Sequence, residues 1–153
     1  MRFTLGWLKE YLEFKSSVEE LCEKLTSIGL EVEECKNLRK SLGDFVVSEI
    51  VDVNPHPNAD KLNVCDVYDG KNILKIVCGA SNAKKKMKTV LANIGCIVRP
   101  GSKEELTIKK SKIRGVTSSG MLCSEEELLL SKKSEGIIEL EDSCIVGENF
   151  SKY

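Results

Sequence analysis

Residues 45–68, FVVSEIVDVNPHPNADKLNVCDVY, carry the reading on which the fold turns. Phe45 to Val53 is apolar and rich in β-branched residues, the composition of a strand. It is long enough to bend and serve two sheets. Leu62 to Tyr68 reads as a second strand. Between them lies HPNADKL, residues 56–62, with the chain's only histidine between two of its three prolines. Pro55 and Pro57 hold Asn54 and His56 extended. Asn58 and Asp60 bond nearby backbone and close a turn, and Lys61 opens the next strand. The loop is therefore a stiff platform for polar side chains. A metal site, a catalytic base and a nucleic-acid-binding loop are all open to it.

Downstream, ILKIVC, TVLANI, LTIKKSKI and GIIEL continue the β-rich texture, separated by Gly-, Pro- and Asn-containing turns. Five or six short strands over about 110 residues predict a small barrel. EEELLLS, from Glu125, reads as a single inserted helical turn. Upstream the texture is helical. Thr4 can cap a short helix with Leu5, Leu8, Tyr11 and Leu12 on one face. Ser17 and Glu20 form a capping box for a second helix, which carries Leu21, Leu25 and Ile28, and Gly29 suits its end. LEVEE, residues 30–34, alternates like a strand. The expected class is mainly β with an α-rich N-terminal segment. Residues 1–41 form a small α-rich unit and residues 42–153 a five-stranded barrel of the oligonucleotide-binding type, the OB-fold.

Of the 153 residues, 31% are charged and 41% hydrophobic, a soluble globular balance. No apolar run reaches the roughly 20 residues that span a bilayer, and the N-terminus lacks the pattern of a secretory signal. Both point to the cytoplasm and away from membranes. Seven cysteines without a C-x-x-C, and one histidine, argue for buried free thiols and against a metal site. The net charge of −1 conceals segregation: Lys71 to Arg114 holds 12 Lys/Arg against 2 Asp/Glu, and Gly115 to Tyr153 holds 3 against 8. Such a block either offers a basic face to a polyanion or mixes with acids on folding.

Three groups of residues are candidates for that face. His56, Asn58 and Lys61 sit on the proline loop, at the barrel mouth by which OB-folds approach ligands. A catalytic His56 lacks any identifiable nucleophile beside it, so no catalytic residue is assigned. Lys84, Lys85, Lys86 and Lys88 follow CGASNA. The glycine spacing and terminal GK[ST] of a P-loop are missing, so these read as point charges for phosphates. Lys109, Lys110, Lys112 and Arg114 lie in IKKSKIRG, expected to be one strand with its charges along a barrel face. No Phe, Trp or Tyr lies between Lys71 and Arg114. Splayed single-stranded bases need such partners. A folded polyanion read by shape and phosphates fits better.

HPNADKL, IVCGASN, KIRGVTSSGMLCSEEEL and GIIELEDSCIVGE, in that order, resemble the tRNA-binding barrel of synthetase-associated domains, over about residues 44 to 150. MRFTLGWLKEYLEF with TSIGLEVEE is similar to the start of the bacterial phenylalanine–tRNA ligase β subunit family. That start sets it apart from free-standing tRNA-binding relatives. The resemblance implies the N-terminal part of a longer chain, without the editing, catalytic-like and anticodon-binding domains. It implies accessory tRNA binding in a two-α, two-β enzyme that attaches phenylalanine to tRNA(Phe) with ATP and Mg2+. Tethered to the α subunit, this segment would bind no cofactor and no DNA and be non-catalytic. The alternative it leaves is a module for inter-domain docking. In the family the first segment packs against a segment beyond the barrel, so its helices are expected to expose apolar surface.

Overall fold

The computed structural model describes residues 2–37 and 41–153. The chain forms two compact units, Met1–Lys36 and Asn37–Tyr153.

The first unit contains α1, Leu5–Tyr11, and α2, Val18–Ser27. Thr4 caps α1 by accepting from the Trp7 N–H at 3.1 Å. In α2 the capping box forms in both directions, with Ser17 Oγ accepting from the Glu20 N–H and Glu20 Oε2 from the Ser17 N–H. At its other end the Leu30 N–H reaches Leu25 O and the Gly29 N–H reaches Thr26 O, the two bonds of a Schellman stop. Neither helix buries a residue. Phe3, Trp7, Tyr11, Leu12, Ile28 and Leu30 are exposed. The strand expected over 30–34 is absent; among the described residues of this unit no second strand offers it a ladder.

The second unit is built on a five-stranded antiparallel sheet of order β3-β2-β1-β4-β9. Its members are β1 Phe45–His56, β2 Ala59–Tyr68, β3 Ile73–Cys78, β4 Lys88–Ala92 and β9 Met121–Leu122. Two hairpins accompany it: β5 Ile97–Val98 with β6 Leu106–Thr107, and β7 Ser111–Ile113 with β8 Val116–Ser118. The first half of β1 pairs with β4 and its second half with β2. The register shifts between Ile50 and Asp52, leaving Val51 as the extra residue of a bulge. One long strand thus serves two neighbours by bending between them. Beside its first half the chain end also docks, with the Val47 N–H donating to Glu148 O and the Gly147 N–H to Val47 O, each at 2.8 Å.

Side chains alternate between two cores. Val90 and Ala92 of β4 join Phe45, Val98, Ile108, Cys123 and Phe150 on one face. Leu91 joins Ile50, Val67, Ile76, Leu122 and Ile137 on the other. Burial on both faces explains why TVLA shows no polar alternation. The ladders leave the sheet open. Its two margins are nevertheless joined: the Ser119 N–H donates to Lys75 O at 2.9 Å and the Val77 N–H to Ser118 Oγ at 3.1 Å.

Two expected strands are corrected. LTIKKSKI is not one strand: Ile108 is buried, and its N–H and carbonyl bond Cys96 O and the Gly95 N–H. That anchor ends β6, so Lys109 and Lys110 fall in the connection to β7. GIIEL only bridges, with Ile138 N–H to Cys123 O and Leu140 N–H to Lys88 O. Asn82 holds its start, donating to Ile137 O at 2.8 Å and accepting from the Ile137 N–H at 3.1 Å. EEELLLS does form a single turn, closed by Leu130 N–H to Glu125 O.

Candidate nucleic-acid interface

Two hairpin turns meet at one end of the sheet. The β1–β2 ladder runs to His56 and Ala59, leaving Pro57 and Asn58 as the turn. The β7–β8 ladder runs to Ile113 and Val116, leaving Arg114 and Gly115. Arg114 has φ 45° and Gly115 φ 97°, the left-handed pair of a type I′ turn. That turn suits the twist of the flanking strands, and only the glycine adopts it without strain.

His56 fastens the two turns together. It is 5% exposed. Its Nδ1 accepts from the Asn58 N–H at 3.1 Å, so the ring proton lies on Nε2, which donates to Ile113 O at 3.1 Å. Asn58 Nδ2 adds a bond to Arg114 O at 3.0 Å. The proline loop thus presents polar groups as expected, but His56 turns inward. Both of its nitrogens are engaged within the chain, which leaves it a positioning role.

The cations divide into two groups. Lys61, Lys109, Lys110, Lys112 and Arg114 are exposed, and their side chains have no ion-pair or hydrogen-bond partner among the described residues. Lys61 follows the first turn, and Lys112 and Arg114 flank Ile113 in the second. The other group hangs from the opposite half of β1, where the Lys86 N–H donates to Ile50 O at 2.7 Å. Ile50 and His56 are six residue steps apart along β1, about 20 Å of extended strand. In this second group Lys84 pairs with Glu139 at 2.6 Å and Lys85 with Asp52 at 3.3 Å. Hydrogen bonds from Asn54 and then Lys85 hold the Asp52 carboxyl below its usual range. Lys86 is exposed at φ 66° with no side-chain partner among the described residues. Lys88 is different again: its ammonium donates to Asp142 O and Cys144 O, both at 2.7 Å, and fixes the loop beyond Leu140.

Sequence reasoning missed three such fixing residues: Asn82, Lys88 and Arg99. Arg99 pairs with Glu104, Glu126 and Glu127 and joins two turns. The Arg-Gly between Ile113 and Val116 was the available signal for a hairpin in IRGV. Among the described residues no three His, Cys, Asp or Glu are grouped to hold a metal ion, and no helix is long and apolar enough to cross a membrane.

Comparison with known proteins adds an independent observation. The family described as "Putative tRNA binding domain" matches residues 45–149. Over its whole length the chain is 56% identical to the phenylalanine–tRNA ligase β subunit of Rickettsia prowazekii, of which it spans 18%. To the same subunit of the Wolbachia of Brugia malayi it is 51% identical over 98% of the chain and 19% of that protein. The chain therefore spans less than a fifth of the length of these relatives. Among solved structures, a MetRS-related protein from Pyrococcus horikoshii shares the fold. It is 20% identical with a TM-score of 0.51, over 74% of this chain and 95% of that one.

Proposed function

The chain belongs to the tRNA-binding-domain family, and from that premise we propose that it is an accessory tRNA-holding module whose contact surface is the joined pair of hairpin turns. One observation carries this reading. His56 and Asn58 bond the Ile113 and Arg114 carbonyls, and so hold the turn bearing Lys112 and Arg114 beside the one leading to Lys61. A preorganised surface loses little freedom on binding. Its cations form no ion pair among the described residues, so their ammonium and guanidinium groups remain available to phosphate oxygens. Lys109 and Lys110 extend the surface along the approach to β7. Lys84, Lys85 and Lys86 are a secondary patch, and Lys88 acts inside the fold. No Phe, Trp or Tyr lies in the sequence between Lys71 and Arg114, so recognition by this stretch works through phosphate spacing and RNA shape, with little base stacking.

The open five-stranded sheet, with its margins bridged at Ser118 and Ser119, supports an OB-type barrel whose mouth carries these turns. The high identity to phenylalanine–tRNA ligase β subunits supports a place within such a subunit. That enzyme would sit in the cytoplasm, pair with an α subunit in a two-α, two-β assembly, and attach phenylalanine to tRNA(Phe) using ATP and Mg2+. The segment described here supplies RNA contacts and no chemistry. A free-standing tRNA chaperone is disfavoured by the N-terminal segment, which the match to phenylalanine–tRNA ligase β subunits also covers.

The test is a salt-titrated binding assay of the chain with tRNA and with an unfolded RNA of equal length. Lys109→Ala/Lys110→Ala/Lys112→Ala should weaken tRNA binding at least tenfold near 0.1 M salt. It should also make the log–log salt slope less negative by about 2 to 3, given about 0.9 per phosphate neutralised. Equal loss for both RNAs would reduce the proposal to generic polyanion attraction. Undiminished or salt-insensitive binding would favour a docking module instead.

A further inference from the structure

Cys65 and Cys78 lie together on the inner face of the β2–β3 ladder. The register sets Cys65 opposite Ile76 and Cys78 opposite Asn63, which makes the two cysteines diagonal neighbours across antiparallel strands. Both are buried. Each of the two thiols is the strongest influence on the other, and the Ala80 N–H donates to the Cys78 sulfur at 3.4 Å. Cys78 ends β3 and lines an open cleft of about 270 Å³, shared with Ala80, Leu122, Ser124 and Ile137. Cys65 has no such opening and is 0% exposed. Cys78 therefore borders the cleft, and Cys65 lies behind it in the core.

We propose that Cys65 and Cys78 form a redox pair, in which a hydroperoxide entering the cleft oxidises Cys78 and Cys65 then closes a disulfide between β2 and β3. In the first step the Cys78 thiolate attacks one peroxide oxygen. An S–O bond forms to the terminal OH, the O–O bond breaks, and the other oxygen leaves with the electron pair, as hydroxide from hydrogen peroxide or alkoxide from an organic hydroperoxide, giving a sulfenic acid. In the second step the Cys65 sulfur attacks the Cys78 sulfur, its proton joins the departing hydroxyl, and water leaves. Two thiols lose two electrons and the peroxide gains them. The donors around Cys78 divide these roles. Hydrogen bonds from Cys65 and then Ala80 pull the Cys78 thiol below its usual range, against the opposing effect of burial. The same bond, together with burial, pushes Cys65 up. The thiolate is the reactive form, so the first step falls to Cys78.

Cys22 and Cys35, in the other unit, are also neighbours and less buried. The experiment removes them. The folded chain carrying Cys22→Ser/Cys35→Ser is exposed to hydrogen peroxide, quenched with an alkylating reagent and mapped by mass spectrometry. The expected product is a Cys65–Cys78 linkage, reversed by dithiothreitol, with Cys96, Cys123 and Cys144 alkylated as thiols after unfolding. Adding Cys65→Ser should trap Cys78 as sulfinic or sulfonic acid, because the resolving thiol is gone. Intact thiols at 65 and 78 while another cysteine oxidises would overturn the proposal. So would oxidation of Cys65 at an unchanged rate in Cys78→Ser. Should either serine variant fail to fold, the map of the Cys22→Ser/Cys35→Ser chain decides the question.

Discussion

Arg114 occupies a backbone position that disfavours it. At φ 45° a side chain bearing Cβ is strained by roughly 1–2 kcal/mol relative to glycine. The bonds from His56 to Ile113 O and from Asn58 to Arg114 O hold the turn in place despite that strain. Strain of this kind concentrates where a side chain has work other than folding. Arg114→Gly should therefore raise stability by about 1 kcal/mol in denaturant melts while weakening tRNA binding severalfold. Its salt slope should be less negative by about 0.9, one phosphate contact. Unchanged tRNA affinity in the stabilised variant would remove Arg114 from the surface. The stiffness of the proline loop was legible in the sequence, because Pro55 and Pro57 act on the residues beside them. That His56 faces inward was not legible. Its acceptor is a carbonyl 57 residues away, and no local pattern points to a carbonyl.

Elements were legible where their pattern is local and misread where a distant partner decides. The capping box of α2 and the length of β1 needed nothing beyond neighbouring residues. The strand over 30–34 failed for want of a partner, and LTIKKSKI broke where Ile108 enters a core that residues 42–150 assemble jointly. Lys88 is the clearest case. Read with Lys84, Lys85 and Lys86 it is one more charge in a run. As the first residue of β4 it is half-buried, and it satisfies carbonyls 54 and 56 residues on. Lys88→Met keeps much of the side-chain volume but leaves both carbonyls without a donor. The expected loss is about 2–4 kcal/mol of stability, since bonds to a charged group contribute about 1.5–3 kcal/mol each and water replaces part of them. tRNA affinity per folded molecule should stay within about twofold. A variant that melts like the parent but binds poorly would reverse this assignment and place Lys88 on the RNA surface.

Across the whole molecule, folding redistributes the segregated charge that the sequence displays. The basic block from Lys71 to Arg114 comes apart: Lys75 and Arg99 pair with nearby acids, one patch of Lys109, Lys110, Lys112 and Arg114 has no ion-pair partner among the described residues, and a second lies beside Glu139 and Asp52. A formal charge of −1 therefore says little about either patch. Exposed pairs such as Lys84–Glu139 are worth only about 0–1 kcal/mol, so they add little to the fold. Their larger effect is on the local field, where each carboxylate repels an approaching phosphate and offsets its lysine. The effect reaches about 10 Å at 0.1 M salt. Asp52→Asn/Glu139→Gln should then change stability by less than about 1 kcal/mol. If the secondary patch faces the RNA, the same variant should tighten tRNA binding by about threefold to tenfold in low salt. Two lysines released from carboxylates can each displace a counterion, so the slope should become more negative by about 1 to 2. The gain should shrink as salt is raised, because screening removes the repulsion it relieves. Binding that is equal to the parent at every salt concentration would mean the Lys84–Lys86 loop turns away from the RNA. The hairpin turns fastened by His56 would then be the whole of the contact surface.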